Sequence, residues 1–289
     1  DGTWTFDRKA GVPQKMEMTV DSYISLAGKT DTYNGTTRYE RLDDASPSQW
    51  QQKIERELQG IGQIASGESS TLPKIELPKL SLEEGSDTEV SALLRQLRTK
   101  KKNSSRERFD ALEKLARIKP LPKKQEEVAN TLHAVRLDFP PGQQAYWIRA
   151  ARVWGTSKNV PTLLFMLDAA ASPSSERMLA MEAVSRMPPT KESAESIAKW
   201  LGDRTLGPVA LQSLVVMGSA SEEPAMNLLR RRTPARVLAA LVLAHIGTEK
   251  SVTALEDFLR SEEDPEYRQL AKVALDEVRK RQSTGGKSQ

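Results

Sequence analysis

The stretch Arg236-Val237-Leu238-Ala239-Ala240-Leu241-Val242-Leu243-Ala244-His245-Ile246-Gly247 holds the clearest pattern in the chain. It sets an arginine, then a small residue three places on, then apolar residues at plus seven and plus ten: Arg236, Ala239, Leu243, Ile246. The same spacing returns at Arg108, Ala111, Leu115, Ile118, at Arg177, Ala180, Val184, Met187, and at Arg268, Ala271, Leu275, Val278. Two further copies lack the arginine. Gln144 stands in its place before Trp147, Ala151 and Trp154, and Gly207 before Ala210, Leu214 and Met217. Steps of three and four keep these positions on one helix face. The closing positions 118, 154, 187, 217, 246 and 278 recur about every 30 to 36 residues, the period of a stacked repeat array.

Each repeat reads as two helices. The first ends at the closing residue, and Gly155, Gly218 and Gly247 follow three of these, where glycine can take the left-handed conformation that ends a helix. Pro188 and Pro189 stop another by a different route, since the chain cannot stay helical through them. The second helix carries a leucine 12 to 14 residues beyond the closing position: Leu132, Leu167, Leu201, Leu229 and Leu259. Pro141, Pro173, Pro234 and Pro265 stand at the starts of first helices, where a missing N–H costs nothing. Small residues at plus three allow helix axes to approach to the lower end of about 8–10 Å. One such unit cannot bury its apolar stripe alone, so each stabilises its neighbours.

These residues resemble the HEAT-like repeats, including the short variety first noted in phycobilisome-lyase-type proteins. Asp264-Pro265-Glu266-Tyr267-Arg268-Gln269-Leu270-Ala271 and the stretch from Arg236 to Gly247 carry the resemblance, which covers about residues 105–281. It implies a mainly α fold, an α-solenoid of about six helix pairs over residues 86–282. It implies little about function, because such arrays serve as scaffolds, adaptors, lyases and DNA-repair enzymes. The resemblance also implies that the repeat arginines Arg108, Arg177, Arg236 and Arg268 meet a carboxylate or a helix end. The metal-dependent hydroxylases built from such repeats use His-Glu dipeptides. His133 and His245 are followed by Ala134 and Ile246, which excludes a di-iron site of that kind.

The front of the chain differs. Within residues 1–45, Trp4 and Phe6, Met16, Met18 and Val20, and Ile24 and Leu26 alternate with polar residues as strands do. Ala10-Gly11-Val12-Pro13 and Asn34-Gly35 supply turn chemistry between the runs. Three short strands bury little core alone, so the segment either packs on another element of this chain or is the end of a larger β domain, the second being the preferred reading. Residues 46–85 then read as a helix, capped by Ser46 with Trp50, Ile54, Leu58 and Ile61 on one face, and a linker over residues 62–85. Pro73 and Pro78 keep that linker extended, and Leu72, Ile75, Leu77 and Leu80 could lie along a neighbouring surface. Ser86 and Glu89 form a capping-box pattern that opens a helix with Val90, Leu93, Leu94 and Leu97. Residues 283–289 read as a disordered tail.

Chemistry is sparse. With 38% apolar and 28% charged residues the composition is that of an ordinary soluble protein, and no apolar run is long enough to span a membrane. The absence of cysteine excludes disulfides, thiolate metal sites and a cysteine nucleophile, and suits the cytoplasm or a bacterial envelope alike. Residue 1 is Asp, so the chain reads as processed or excised. No phosphate-cradling loop or paired-carboxylate motif points to a cofactor or a hydrolase. Trp147, Trp154 and Trp200 occupy core positions of the repeat. Residues 1–94 hold 10 basic and 16 acidic residues, a net of −6, whereas residues 95–289 hold 33 and 23, a net of +10. The densest basic cluster is Arg230-Arg231-Arg232 with Arg236, at a helix end and across the turn into the next repeat. It is the candidate site for an acidic protein partner, although cations also favour a helix C-terminus for structural reasons alone. Arg236 belongs to the repeat pattern, which leaves Arg231 or Arg232 to bind. The expectation is a non-catalytic protein-binding scaffold. The alternative is a basic solenoid that binds nucleic acid, with a DNA-glycosylase-like activity of the alkylpurine type.

Overall fold

The computed structural model describes residues 2–7, 12–26, 29–40, 60, 62–67, 72, 74–99, 105–140, 142–231 and 233–285, the first three segments as backbone. The chain forms two compact units, Asp1–Glu55 and Arg56–Gln289. In the first, β1 (Gly2–Asp7), β2 (Val12–Leu26) and β3 (Lys29–Glu40) make an antiparallel sheet in the order β1-β2-β3. The register shifts between Thr5 and Phe6. Asn34-Gly35 is not a turn. It lies inside β3, opposite Asp21 and Val20, and the β2–β3 ladder begins at Leu26 and Lys29. The reason is visible in β2, where Met16, Met18, Val20, Ile24 and Leu26 fall on one face at a period of two, interrupted only by Ser22. Thr30, Thr32, Tyr33, Thr36, Thr37 and Tyr39 favour strand on both sides of the Asn-Gly pair.

Twelve α-helices run from Asp87 to Gly285 in the second unit: α1 (Asp87–Arg98), α2 (Ser105–Leu115), α3 (Gln125–Val135), α4 (Gln144–Trp154), α5 (Val160–Asp168), α6 (Ser174–Ser185), α7 (Lys191–Ala198), α8 (Gly207–Met217), α9 (Glu222–Leu229), α10 (Ala235–Ile246), α11 (Glu249–Ser261) and α12 (Pro265–Gly285). The even-numbered helices stack in sequence as one layer, A, and the odd-numbered helices as a second, B. Each B helix also packs on the A helix that follows it. Between α3 and α5 the stacking passes through the 3-10 turn Ser157–Asn159. The unit is an α-solenoid of the HEAT/armadillo-like kind, with six helix pairs. The tight pair is a second helix with the first helix of the next repeat, so α1, the capped helix before the first recurring arginine, is a full member of layer B. Ser86 accepts from the Glu89 N–H at 3.1 Å, as its pattern requires.

The repeat positions are the core. Ala111, Trp147, Ala180, Ala210, Ala239 and Ala271 at plus three are all completely buried. In α4 the sizes are exchanged, with Trp147 at plus three and Ala151 at plus seven, which keeps the summed volume near that of an Ala–Leu pair plus one ring. The indoles of Trp147 and Trp154 are buried and donate to the Leu132 and Leu115 carbonyls, each at 2.8 Å. Trp200 is half-buried. Leu132, Leu167, Leu201 and Leu229 are buried, but in the last repeat Phe258 is the buried residue and Leu259 is half-exposed, a shift of one position. Pro173 and Pro234 precede α6 and α10, and Pro265 opens α12. Pro141 lies outside the described residues.

Two boundaries differ from expectation. The helix with Ser46 and Trp50 lies mostly outside the described residues, but residues 62–65 are helical, so the linker starts later than Gly62. Ile64 is fully buried, which offsets a glycine in the helix, and Gly67 with φ +79° ends it. At the other end α12 continues to Gly285, three residues into the expected tail, and residues 286–289 lie outside the described residues. No helix among the described residues is long and apolar enough to cross a membrane.

Gly218 has φ +63°, but Gly155 and Gly247 have φ −65° and −59° and need no left-handed backbone. Close approach explains them instead. A Cβ on Gly155 would lie 2.1 Å from Met187 Cε and 2.3 Å from the Ala151 carbonyl oxygen. On Gly247 it would lie 2.6 Å from the Leu243 oxygen and 3.0 Å from Val278 Cγ2. Met187 and Val278 are the closing residues of the following repeats, so each glycine receives its successor's anchor. Gly155→Ala and Gly247→Ala are therefore expected to cost about 1–3 kcal/mol each through overpacking. Gly62→Ala, which meets nothing within 4 Å, should gain up to about 1 kcal/mol. Urea unfolding of the three variants checks this, and equal effects at all three positions would contradict it.

Candidate functional site

Layer A begins where layer B ends, and the repeat arginines sit at that junction. Arg108 donates from Nε to the Leu97 carbonyl at the end of α1, pairs with Asp138, and lies 5.1 Å over the Phe139 ring. Arg177 donates to the Ala169 carbonyl at the end of α5 at 2.8 Å and stacks at 4.8 Å on Trp200. Arg236 pairs with the buried Glu262 at the end of α11 and lies 5.3 Å over Phe258. The planar guanidinium can bond in its plane and stack on its face, so one residue closes a helix end and covers an aromatic ring. Gln144 does part of this by donating to the Phe139 carbonyl at 3.3 Å. At Gly207 the backbone itself approaches, since a Cβ would lie 2.8 Å from the Leu201 carbonyl. Arg268, in the last repeat, is exposed.

Buried carboxylates that the sequence patterns did not reveal complete the junctions. Glu182, fully buried, accepts from Arg152 of α4 at 3.1 Å and from Arg186 at 2.8 Å. Glu176 accepts from the backbone N–H of Gly142 and Ala145 at the start of α4. Glu222 accepts from the Thr248 N–H and hydroxyl and the Ser251 hydroxyl, all at 2.7 Å, at the start of α11. Burial pushes the Glu222 pKa up, but the Ser251 and Thr248 hydrogen bonds outweigh it and hold the carboxyl below its ordinary value. Only Glu182 carried a signal, as a lone acid between the apolar Met181 and Ala183; Glu176, beside Ser175 and Arg177, and Glu222, beside Ser221 and Glu223, carried none. His133 and His245 have pKa values lowered first by burial, then by nearby Arg136 and Arg281 respectively. Among the described residues no group of His, Asp and Glu is placed to hold a metal ion.

Of the predicted cluster, Arg236 belongs to the core junction just described. Arg230 is the C-cap of α9 and Arg231 follows it; both are exposed, and Arg232 lies outside the described residues. The Arg230 guanidinium turns back to the Asn227 side chain at 3.4 Å, and neither Arg230 nor Arg231 pairs with a carboxylate among the described residues. Arg230 borders an open cleft of about 510 Å³ between α9 and α11, with Arg236 and Phe258 at its base and Arg260 and Ser261 at its edge. Arg260 is exposed and paired with Asp257.

A second surface is already occupied. Residues 74–86, the second half of the expected linker together with the cap residue Ser86, lie along the closing ends of layer A. The Glu83 N–H donates to the Arg117 carbonyl at 2.7 Å, and the Lys119 N–H to the Glu83 carbonyl at 2.8 Å, a parallel bridge centred on Ile118. Glu84 pairs with Lys119, and the Pro78 carbonyl accepts from Arg186 beyond the end of α6. Ile75, Leu77, Leu80 and Leu82 are half-buried while Lys74, Glu76, Lys79 and Glu83 are exposed. The segment is a docked strap rather than a loose tether.

No family model matches the chain, and no curated protein matches it. Among solved structures it is similar to two designed armadillo repeat proteins. One, YIII(Dq)4CqI, is 16% identical with a TM-score of 0.41, over 65% of this chain and 99% of that one. The other, YIII(Dq.V1)4CPAF in complex with peptide (KR)4, is 14% identical with a TM-score of 0.43 over the same shares.

Glu222 gives a pH dependence of known sign. Its folded pKa lies below the ordinary 4.5, so its contribution is complete above about pH 4.5 and is lost as pH falls through the lower folded value. Ser251→Ala should flatten the acid limb of stability measured by urea unfolding between about pH 5 and 3. An unchanged limb would show that this carboxylate is not held as described.

Proposed function

We propose that the array is a non-catalytic protein-binding scaffold, and that Arg230 and Arg231, with Arg232 next to them in sequence, receive an acidic segment of a protein partner. One observation carries the reading. The charged residues at the junctions between repeats are committed to one another, Arg108 to Asp138, Arg152 and Arg186 to Glu182, Arg236 to Glu262, while Arg230 stands exposed at the border of a cleft and Arg231, next to it, is exposed as well. Exposed guanidiniums pair with a carboxylate through two parallel hydrogen bonds, whereas the Arg236 charge is already balanced by Glu262. A purely helix-capping role would direct Arg230 to the last carbonyls of α9, and it turns to Asn227 instead.

The positive balance of the array is interleaved with acids. Lys199 pairs with Asp168, Lys191 with Glu223, and Arg279 with Glu256, each across two helices. This spacing favours a solvated protein surface over a continuous phosphate track, so the acidic peptide is the preferred ligand over nucleic acid.

The test replaces Arg230, Arg231 and Arg232 together with Gln and, separately, Arg236 with Gln. The triple variant should keep its melting temperature within a few degrees, since exposed charges contribute about 0–1 kcal/mol. It should lose at least tenfold in affinity for a fluorescent Glu/Asp-rich peptide, as raised salt does to the wild type. Arg236→Gln should instead lose about 2–4 kcal/mol of stability, because it leaves the buried Glu262 unpaired. A triple variant that melts early and binds unchanged would reverse the assignment, and tighter binding of random duplex DNA than of the acidic peptide would favour the nucleic-acid alternative.

A further inference from the structure

We propose that the closing edge of layer A is a second partner surface, an acceptor for extended proline-containing segments, and that residues 74–86 occupy it in cis as a displaceable ligand. This deepens the reading of the array as a protein-binding scaffold but uses a different surface from the arginine cleft. The strap runs against the direction of the array, from Arg186 beyond α6 back to Ile118 beyond α2, with α4 between. Two steps between neighbouring helices are about 16–20 Å, and the five residues from Pro78 to Glu83 reach at most about 18 Å. The segment is therefore nearly fully stretched, and the long side chain of Arg186 covers the remaining distance.

What holds it defines what the edge selects. The Pro78 carbonyl takes the Arg186 hydrogen bond, and proline predisposes the chain around it to an extended course at little entropic cost. Leu80 and Leu82 are half-buried. Residue 83 must offer both its N–H and its C=O to Arg117 and Lys119, so its side chain is unrestricted and faces solvent. Residue 85 must be glycine, since a Cβ there would lie 2.5 Å from Ile118 Cγ2. The ligand is thus an extended segment with proline, apolar residues two and four places later, and glycine seven places later. This mode resembles the addition of a strand by main-chain bonds with side-chain selection at alternate positions.

The strap is also held lightly. The two main-chain bonds to Glu83 and the Arg186 bond to Pro78 lie in a segment whose alternate side chains are exposed, whereas Arg186 stays anchored through Glu182 to Arg152 whether or not the strap is seated. Few buried apolar contacts mark a segment that opens locally while the array stays folded. Covalent attachment gives it an effective concentration on the order of millimolar, so a free segment of equal chemistry competes poorly until the strap is weakened.

The experiment uses the full chain and a labelled synthetic peptide of residues 72–86. Glu83→Pro removes the N–H that bonds to Arg117, and Gly85→Val adds the clash with Ile118. The double variant should bind the peptide at least tenfold more tightly than the wild type by fluorescence anisotropy. Adding Arg186→Ala, or placing Val at position 85 of the peptide, should abolish that gain. A folded double variant that binds no better than the wild type overturns the proposal. Should the double variant fail to fold, brief trypsin treatment of the wild type decides. Cleavage at Lys79 before any cut within α4 to α10, with helical circular dichroism kept and peptide binding gained, supports a displaceable strap. Protection of Lys79 equal to that of the helices overturns it. An intact response to the acidic peptide alongside a failed strap test would leave the arginine cleft standing alone.

Discussion

Each A helix has to come close to its successor along most of its length and then stop where the successor's last apolar residue presses on it. The first demand fixes a small residue at plus three, with the Trp147 and Ala151 exchange as the compensated exception. The second fixes Gly155 under Met187 and Gly247 near Val278. Together they set the register between repeats. Once the register is set, the B helices have one place to lie, each against the A helix that follows it and beside its B neighbours. The arginine at the start of the A helix then falls beside the end of a B helix, which explains why it recurs.

That junction concentrates charge in a largely apolar assembly. Buried carboxylates such as Glu182 and Glu222 are tolerated because several donors converge on each. The pairing also has a functional consequence. A repeat arginine that stacks on an aromatic ring and closes a helix end is withdrawn from ligand chemistry, so position in the repeat separates Arg236 from Arg230 and Arg231 within one basic cluster. The same logic sets Arg186 apart. Its guanidinium is held by Glu182 yet still reaches the Pro78 carbonyl, making it a fixed donor at the rim of the array.

Much of the fold was legible because the repeat writes the same constraint six times. The plus-three, plus-seven and plus-ten positions are buried almost throughout, and the recurrence of arginine with the repeat points to a structural junction. Three things were less legible for physical reasons. Glycine carries one letter for two causes, so left-handed Gly218 and the crowded Gly155 and Gly247 look alike in sequence. Asn34-Gly35 is a strong local turn signal, overridden by strand-forming neighbours and by the long pairing of β2 with β3 on both sides of it. Partners distant in sequence, such as Arg186 with Pro78 or Glu222 with Ser251, depend on how repeats stack and leave no local pattern. The site was legible only in part: the repeat pattern already set Arg236 apart within the basic cluster, but its buried partner Glu262, distant in sequence, left no local signal.

Hydrogen exchange resolved by helix in the full chain tests most directly whether contacts between adjacent repeats hold the array together. In such an array protection should rise from the end inward, with α12 opening first and α4, α6, α8 and α10 sharing the slowest exchange. Rapid opening of α8 or α10 while α12 stays protected would contradict nearest-neighbour stacking as the source of the fold.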